Sequence, residues 1–202
     1  MQNGSIMNIM NIKDVSINDN EAEFYFSLFL TAMGISWAND PQMVDTPARV
    51  VKSWKQGIMK GLYSEIPSIT SFPNEGYTGI VLQSNIEVFS ICAHHLLPFT
   101  GKSHVAYIPT EKGKVIGLSK LNRIVDYYSR RPQIQEKLTK EVHDFLKNVV
   151  DSLGIIVYFE CKHSCCSNRG IGHDSVMKTV FCSGAFLVNE GGCKDEFYEL
   201  LK

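Results

Sequence analysis

The stretch IEVFSICAHH, residues 86–95, joins a β-strand to a cluster of metal-binding residue types. Residues 86–92 are rich in β-branched and aromatic side chains, which predicts a strand that ends at the motif Cys92-Ala93-His94-His95. A second cluster occupies residues 161–166, with the sequence Cys-Lys-His-Ser-Cys-Cys. Thiolate and imidazole together favour zinc, and three protein ligands with one open position are typical of a catalytic zinc site. We therefore expect a zinc hydrolase.

The composition indicates one globular domain without nucleic-acid or membrane partners. The chain has 202 residues, of which 44% are hydrophobic, enough to bury a full core. Lys and Arg number 20 against 21 Asp and Glu, so there is no basic field that would hold nucleic acid. No signal peptide and no apolar run long enough to span a bilayer is recognisable. We therefore expect a cytoplasmic protein, in which six cysteines indicate metal ligands or buried thiols rather than disulfides.

The rest of the chain is predicted to alternate between helices and strands. We expect a flexible arm over residues 1–20 and a single domain over residues 21–202, helical over residues 21–75. The hydroxyl of Thr46 is predicted to cap a helix that has proline in its first turn. Ser119 is predicted to cap a helix over residues 120–129, and Pro132 to open the longest helix, which stops at Gly154. Further helices are expected over residues 21–34 and 194–201, and further strands over residues 80–82, 102–108, 114–118, 155–161 and 178–186.

Five motifs in one order resemble the GTP cyclohydrolase I family, and their combination is highly specific. They are Thr46-Pro47-Ala48-Arg49, Cys92-Ala93-His94-His95, residues 117–125 (GLSKLNRIV), residues 131–136 (RPQIQE), and His163-Ser164-Cys165 followed by Arg169-Gly170. The resemblance implies an α+β tunnelling fold (T-fold), with an antiparallel sheet and packed helices over residues 76–202. It also implies a toroidal homodecamer whose active sites are shared between subunits.

The implied reaction is the hydrolysis of GTP to formate and 7,8-dihydroneopterin triphosphate, the first step of tetrahydrofolate and pterin biosynthesis. The family places Zn²⁺ on Cys92, His95 and Cys165, where the metal would activate water. If the second cluster is extended, Cys165 shares a face with His163 while Cys166 points away. Spacing alone excludes neither Cys166 nor Cys161 as the third ligand.

Two histidines are candidates for proton transfer. His163 resembles the proton donor of the family, and His94 is the second candidate. The alternative is that a histidine beside a ligand only orients that ligand by a hydrogen bond. We expect the other histidines, His104, His143 and His173, to be surface or packed residues.

The resemblance also implies the substrate contacts. Glu136 matches the carboxylate that pairs with the N1–H and 2-amino donors of guanine, and Gln135 is a weaker second contact. The triphosphate would be bound by fixed cations and by a helix N-terminus. The residues that match these positions are Ser119, Lys120, Arg123, Arg169 and, across a subunit boundary, Arg49.

Ala93 departs from the family pattern, which usually has glutamate at this position. Alanine can neither accept a hydrogen bond nor move a proton, so metal binding is little affected but substrate handling or the later steps are in doubt. One alternative is therefore a relative that acts on another purine nucleotide or stops at a ring-opened product. Another is a catalytically silent, zinc-stabilised assembly protein, although such a protein would have no need of Glu136 or His163.

Overall fold

The computed structural model describes residues 18–202, which divide into two compact units, one ending at Trp54 and the other spanning Lys55–Lys202. Residues 1–17 of the predicted arm lie outside the described residues. The end of that arm is helical instead, because the side chain of Asn18 accepts a hydrogen bond from Glu21 N at 3.2 Å and caps helix α1, Asp19–Ala32.

The N-terminal unit contains α1 and helix α2, Thr46–Ser53. Thr46 is the first residue of α2 and not its cap, and Asp45 occupies the cap position without a side-chain cap bond. Asp45 forms a salt bridge of 2.9 Å with Arg49, one helical turn away. The edge of Phe26 contacts the ring of Trp54, with centroids 6.5 Å apart, and a π-helical turn, Trp54–Ile58, follows.

The C-terminal unit holds the sheet and most of the core. Its helices are α3 Lys60–Tyr63, α4 Leu118–Ser129, α5 Gln135–Val149, α6 Ser164–Ser167, α7 Ala185–Val188 and α8 Cys193–Glu199. Its strands are β1 Ser71–Pro73, β2 Val81–Cys92, β3 Pro98–Pro109, β4 Lys114–Ile116, β5 Pro132–Gln133, β6 Ser152–His163 and β7 Val176–Gly184. Helix α3 belongs to this unit because Lys60 pairs with Asp126 of α4 at 2.6 Å. The two compact units meet at residues 54–55, and the division at residue 75 that the sequence suggested stays a prediction.

Within residues 18–202, the main sheet has five strands in the order β5-β2-β3-β6-β7. Strands β2, β3, β6 and β7 are antiparallel neighbours, and β1 pairs separately with β4. The prediction that Pro132 opens a helix is wrong, because Pro132 and Gln133 pair in parallel with Ile91 and Cys92. This pairing holds the start of α5 next to the end of β2.

Alternating side chains of the central strands fill two cores. Val105 and Tyr107 of β3 lie in one cluster with residues of α4 and α5, whereas Ala106 and Ile108 lie in another with residues of α7 and α8. This is the period of two expected for a strand that is covered on both faces. The prediction of an α+β fold with an antiparallel sheet and packed helices is confirmed. None of the helices in the described part of the chain is sufficiently long and apolar to cross a membrane.

Candidate metal and catalytic site

The first cluster lies in a tight turn at the end of β2. Cys92 N donates to Leu97 O and Leu96 N donates to Cys92 O, both at 2.8 Å. Leu96 adopts a left-handed backbone conformation, with φ 52°, which reverses the chain within a few residues. The turn brings both histidines to the thiol, so that Cys92 Sγ lies 3.5 Å from His94 Nδ1 and 3.8 Å from His95 Nδ1.

The pairing of β3 with β6 brings the second cluster to the first. β3 begins just after the turn, and its Phe99 pairs with His163, the last residue of β6. The ligand atoms of Cys92, His95 and Cys165 all lie within 4.8 Å of one another. Of the His, Cys, Asp and Glu side chains in residues 18–202, these form the one such group of three or more. Cys166 and Cys161 are outside it.

The predicted distinction between Cys165 and Cys166 rested on the alternation of side chains along an extended segment, and this reason does not apply. The chain is not extended here, because Ser164–Ser167 forms a single helical turn, α6. Burial, followed by interactions with the thiols of Cys92 and Cys166, raises the pKa of Cys165 to about 11 in the metal-free protein. A metal that binds this thiol must therefore displace its proton.

Cys161 is a core residue. It is 1% exposed and packs in the same cluster as Val105 and Tyr107. Burial, with a smaller effect of Glu160, raises the pKa of Cys161 to about 12, so it remains a neutral thiol. This is the buried thiol that a cysteine commonly provides.

His163 is held on two sides at the edge of the metal group. Its ring stacks on the fully buried ring of Phe99, with centroids 4.3 Å apart and planes 10° apart. Its Nε2 lies 2.8 Å from Oε1 of Gln135. Burial lowers the pKa of His163, and the nearby charge of Glu136 opposes this shift.

The first two residues of α5 point to different environments. Gln135 is 1% exposed, and its Nε2 donates to Met177 O at 3.0 Å and Thr179 Oγ1 at 3.1 Å. Its side-chain nitrogen is thus bonded inside the protein, and its contact with substrate stays a prediction. Glu136, the next residue, is exposed.

The predicted phosphate-binding residues are distributed over both units. Ser119, Lys120 and Arg123 lie in the first two turns of α4, and Arg169 is exposed in the segment after α6. The helix begins at Leu118, so Ser119 is inside its first turn and does not cap it. Arg49 belongs to the N-terminal unit, where it pairs with Asp45. Their binding of a triphosphate stays a prediction.

Sequence reasoning missed Phe99, which stacks on His163, and also Thr139 and Thr179, which are hydrogen-bonded to Gln135 and to each other. Phe99 could not be identified before the register of β3 and β6 was known. A contact of Thr139 with Gln135 could be inferred only weakly, because Thr139 lies one helical turn after Gln135. Nothing in the sequence indicated Thr179. Of the other histidines, His104 and His143 are packed, at 5% and 2% exposure, and His173 is exposed, as predicted.

Comparison with known proteins identifies relatives along most of the chain. The family model described as GTP cyclohydrolase I matches residues 23–202. A protein of Streptomyces coelicolor named GTP cyclohydrolase 1 is 48% identical over 128 residues, 63% of each chain. A Chlorobium chlorochromatii protein of that name is 40% identical over 81% of this chain and 74% of its own. One from Pseudomonas aeruginosa, named GTP cyclohydrolase 1 2, is 39% identical over 89% of this chain and 98% of its own.

The match to the Streptomyces coelicolor relative spans 63% of that protein, which is less than two thirds of its length. Among solved structures, the archaeosine synthase QueF-Like in the apo form has 21% identity and a TM-score of 0.43, with 52% of this chain and 94% of that chain covered. That likeness is too weak to support a conclusion about function.

Proposed function

Because the chain belongs to the GTP cyclohydrolase I family, we propose that it hydrolyses GTP to formate and 7,8-dihydroneopterin triphosphate. The observation that carries this proposal is the group of Cys92, His95 and Cys165, with His163 stacked on Phe99 two residues before Cys165. A proton-transfer group next to a cluster of metal ligands is what a metal-assisted hydrolysis requires.

The proposal includes the architecture that the family resemblance implied. Residues 76–202 form a tunnelling-fold catalytic part, residues 21–75 a helical part, and copies of the chain assemble into a toroidal homodecamer with shared sites. The antiparallel sheet with helices packed on it supports the fold. Arg49 would then reach the triphosphate from a neighbouring subunit.

The donor set of the cluster fits zinc. Two thiols and one imidazole are soft to borderline ligands, and three protein ligands leave a position open, as in catalytic zinc sites. Cys92, His95 and Cys165 would hold the ion. When bound, zinc supplies the Lewis-acid chemistry that makes water a nucleophile near neutral pH.

His163 moves the proton in this proposal. Donation of a proton to N7 of guanine activates C8 for attack by water, and the stacked ring of Phe99 fixes the plane in which His163 can do so. His94, whose Nδ1 lies 3.5 Å from Cys92 Sγ, is the second proton carrier. His94 lies between the ligand positions Cys92 and His95, and His163 lies two residues before Cys165.

Substrate recognition is assigned in this proposal to charged side chains of α4, of α5 and of the segment after α6. Glu136 follows the buried Gln135 directly and offers its carboxylate to the N1–H and 2-amino groups of guanine. Lys120, Arg123 and Arg169 provide charge for the triphosphate, and Ser119 lies where the N-terminus of α4 presents free N–H groups.

The second candidate function rests on Ala93. This residue is exposed beside Cys92, and its backbone N donates to Gln133 O at 2.9 Å, so the position is held while the carboxylate usual in the family is absent. A preference for another purine nucleotide, or release of a ring-opened product, would follow from that loss. Ala93→Glu should then change the ratio of GTP to dGTP turnover.

The test is the identification of products by mass spectrometry after incubation of zinc-loaded protein with GTP, dGTP and ATP. Formate and a cyclised pterin triphosphate from GTP are expected, whereas a ring-opened formamide favours the second candidate. Cys165→Ser should abolish tight zinc binding and turnover, and the matched variant Cys166→Ser should retain both. Absence of any product from zinc-loaded protein would refute the proposal.

A further inference from the structure

Three side chains connect helix α5 to strand β7 behind His163. Thr139 Oγ1 lies 2.8 Å from Gln135 O and 2.6 Å from Thr179 Oγ1. Gln135 Nε2 lies 3.1 Å from Thr179 Oγ1, which closes the connection. Gln135 and Thr139 are each 1% exposed, so their polar groups depend on one another and not on solvent.

The directions of these hydrogen bonds are determined by the backbone carbonyl groups. Because Gln135 O can only accept, the hydroxyl of Thr139 donates to it. Thr139 has no second proton for Thr179, so the hydroxyl of Thr179 donates to Thr139. The oxygen of Thr179 then accepts from the amide of Gln135.

The same reasoning fixes the amide of Gln135. Its nitrogen faces Met177 O at 3.0 Å and Phe159 O at 3.4 Å, and both of these groups only accept. A flipped amide would set oxygen against two carbonyl oxygens, so Oε1 must face His163. The contact of 2.8 Å is therefore one in which His163 Nε2 donates to Gln135 Oε1.

We propose that Gln135 is a positioning residue that holds neutral His163 as the Nε2–H tautomer, so that Nδ1 is free to take up a proton from solvent and pass it to substrate. Phe99 fixes the plane of the ring, and Gln135 fixes which edge faces the protein. Within residues 18–202, no hydrogen bond engages Nδ1 of His163. The catalytic half of this inference rests on the proposed function. The tautomer itself does not.

The first test reads the tautomer directly. Solid-state ¹⁵N spectra of sedimented, zinc-loaded protein with ¹⁵N-labelled histidine are recorded at pH 8 without substrate, and His163→Gln identifies the His163 signals. A protonated Nε2 and an unprotonated Nδ1 are expected. Gln135→Met, which lacks the acceptor, should give a mixture of tautomers. A protonated Nδ1 in the parent protein would overturn the proposal.

The second test separates positioning from substrate contact. Gln135→Met should lower kcat about tenfold or more while KM for GTP changes less than about twofold. Thr179→Val should have a smaller effect in the same direction, and Thr179→Ser, which keeps the hydroxyl, should match the parent. A raised KM with unchanged kcat would make Gln135 a substrate contact instead. If the parent protein forms no pterin, the proposed function fails, but the spectra still decide the tautomer.

Discussion

A row of polar contacts joins helix α5 to strand β7 and has a histidine at each end. The two histidines differ in their surroundings. Gln135, Thr139 and His143 follow one another at one-turn spacing on α5 and face Thr179 and Ser183 of β7. One end reaches His163 through Gln135, and the other stops at His143, whose Nε2 lies 2.8 Å from Ser183 Oγ.

Burial lowers the pKa of both histidines, and an aromatic ring contacts each of them. These properties therefore do not distinguish a catalytic histidine from a structural one. The difference is that His163 lies two residues from Cys165, whereas His143 contacts Phe181 and Asp144 away from the metal group. The proposed function places chemistry at the first end, and we expect the second end to contribute stability.

Replacing each histidine by alanine tests this assignment most strongly. His163→Ala should lower turnover by on the order of 10² to 10⁴ while zinc content is kept, because a proton donor is lost and no ligand is. His143→Ala should leave kcat per folded subunit nearly unchanged. Pterin formation measures turnover, and elemental analysis measures the zinc content. Equal losses of kcat in the two variants would erase the distinction between the ends.

Glu136, the exposed neighbour of Gln135, tests whether substrate binds at the first end. Glu136→Gln presents an amino group to the donors of guanine, so binding of GTP should weaken by about 1–3 kcal/mol. Calorimetry on zinc-free protein measures this without turnover. Glu190→Gln, an exposed site with the same change of charge, is the control and should bind as the parent does. Unchanged affinity in Glu136→Gln would remove this residue from the site.

The second end should matter for folding. His143→Ala leaves Ser183 without its partner and opens a cavity beside Phe181, so the free energy of unfolding should fall by about 1–3 kcal/mol. Denaturation in urea measures the loss. The exposed His173→Ala should change stability by less than about 0.5 kcal/mol. A stability of His143→Ala equal to that of His173→Ala would contradict a structural role.

Local sequence patterns predicted the elements but not the contacts that orient His163. Strand β2 could be predicted to end at Cys92 because alternation and residue type persist along it. Pro132 was misplaced because a two-residue parallel pairing with Ile91 and Cys92 leaves no periodic signal. The stacking of Phe99 on His163 depends on strand register between segments more than 60 residues apart, which one sequence does not specify.

The smallest expected effect concerns the pH dependence of stability at the second end. Burial lowers the pKa of His143 in the folded protein, against the weaker opposing effect of Asp144, whereas the unfolded residue titrates near 6.5. Below that pH the unfolded chain binds a proton that the folded chain does not, so the free energy of unfolding falls as the pH drops from above 6.5 toward the lower folded value.

Removal of the titrating group should therefore flatten this decline. Between pH 7.5 and 5.5, His143→Gln should lose less stability in urea than the parent, by on the order of 1 kcal/mol. Some decline must remain, because burial also lowers the pKa of His104 and His163. His173→Gln, at an exposed position, should keep the full decline. If both glutamine variants decline equally, the proton uptake on unfolding belongs to His104 and His163 and not to His143, and the two ends of the row differ in this respect.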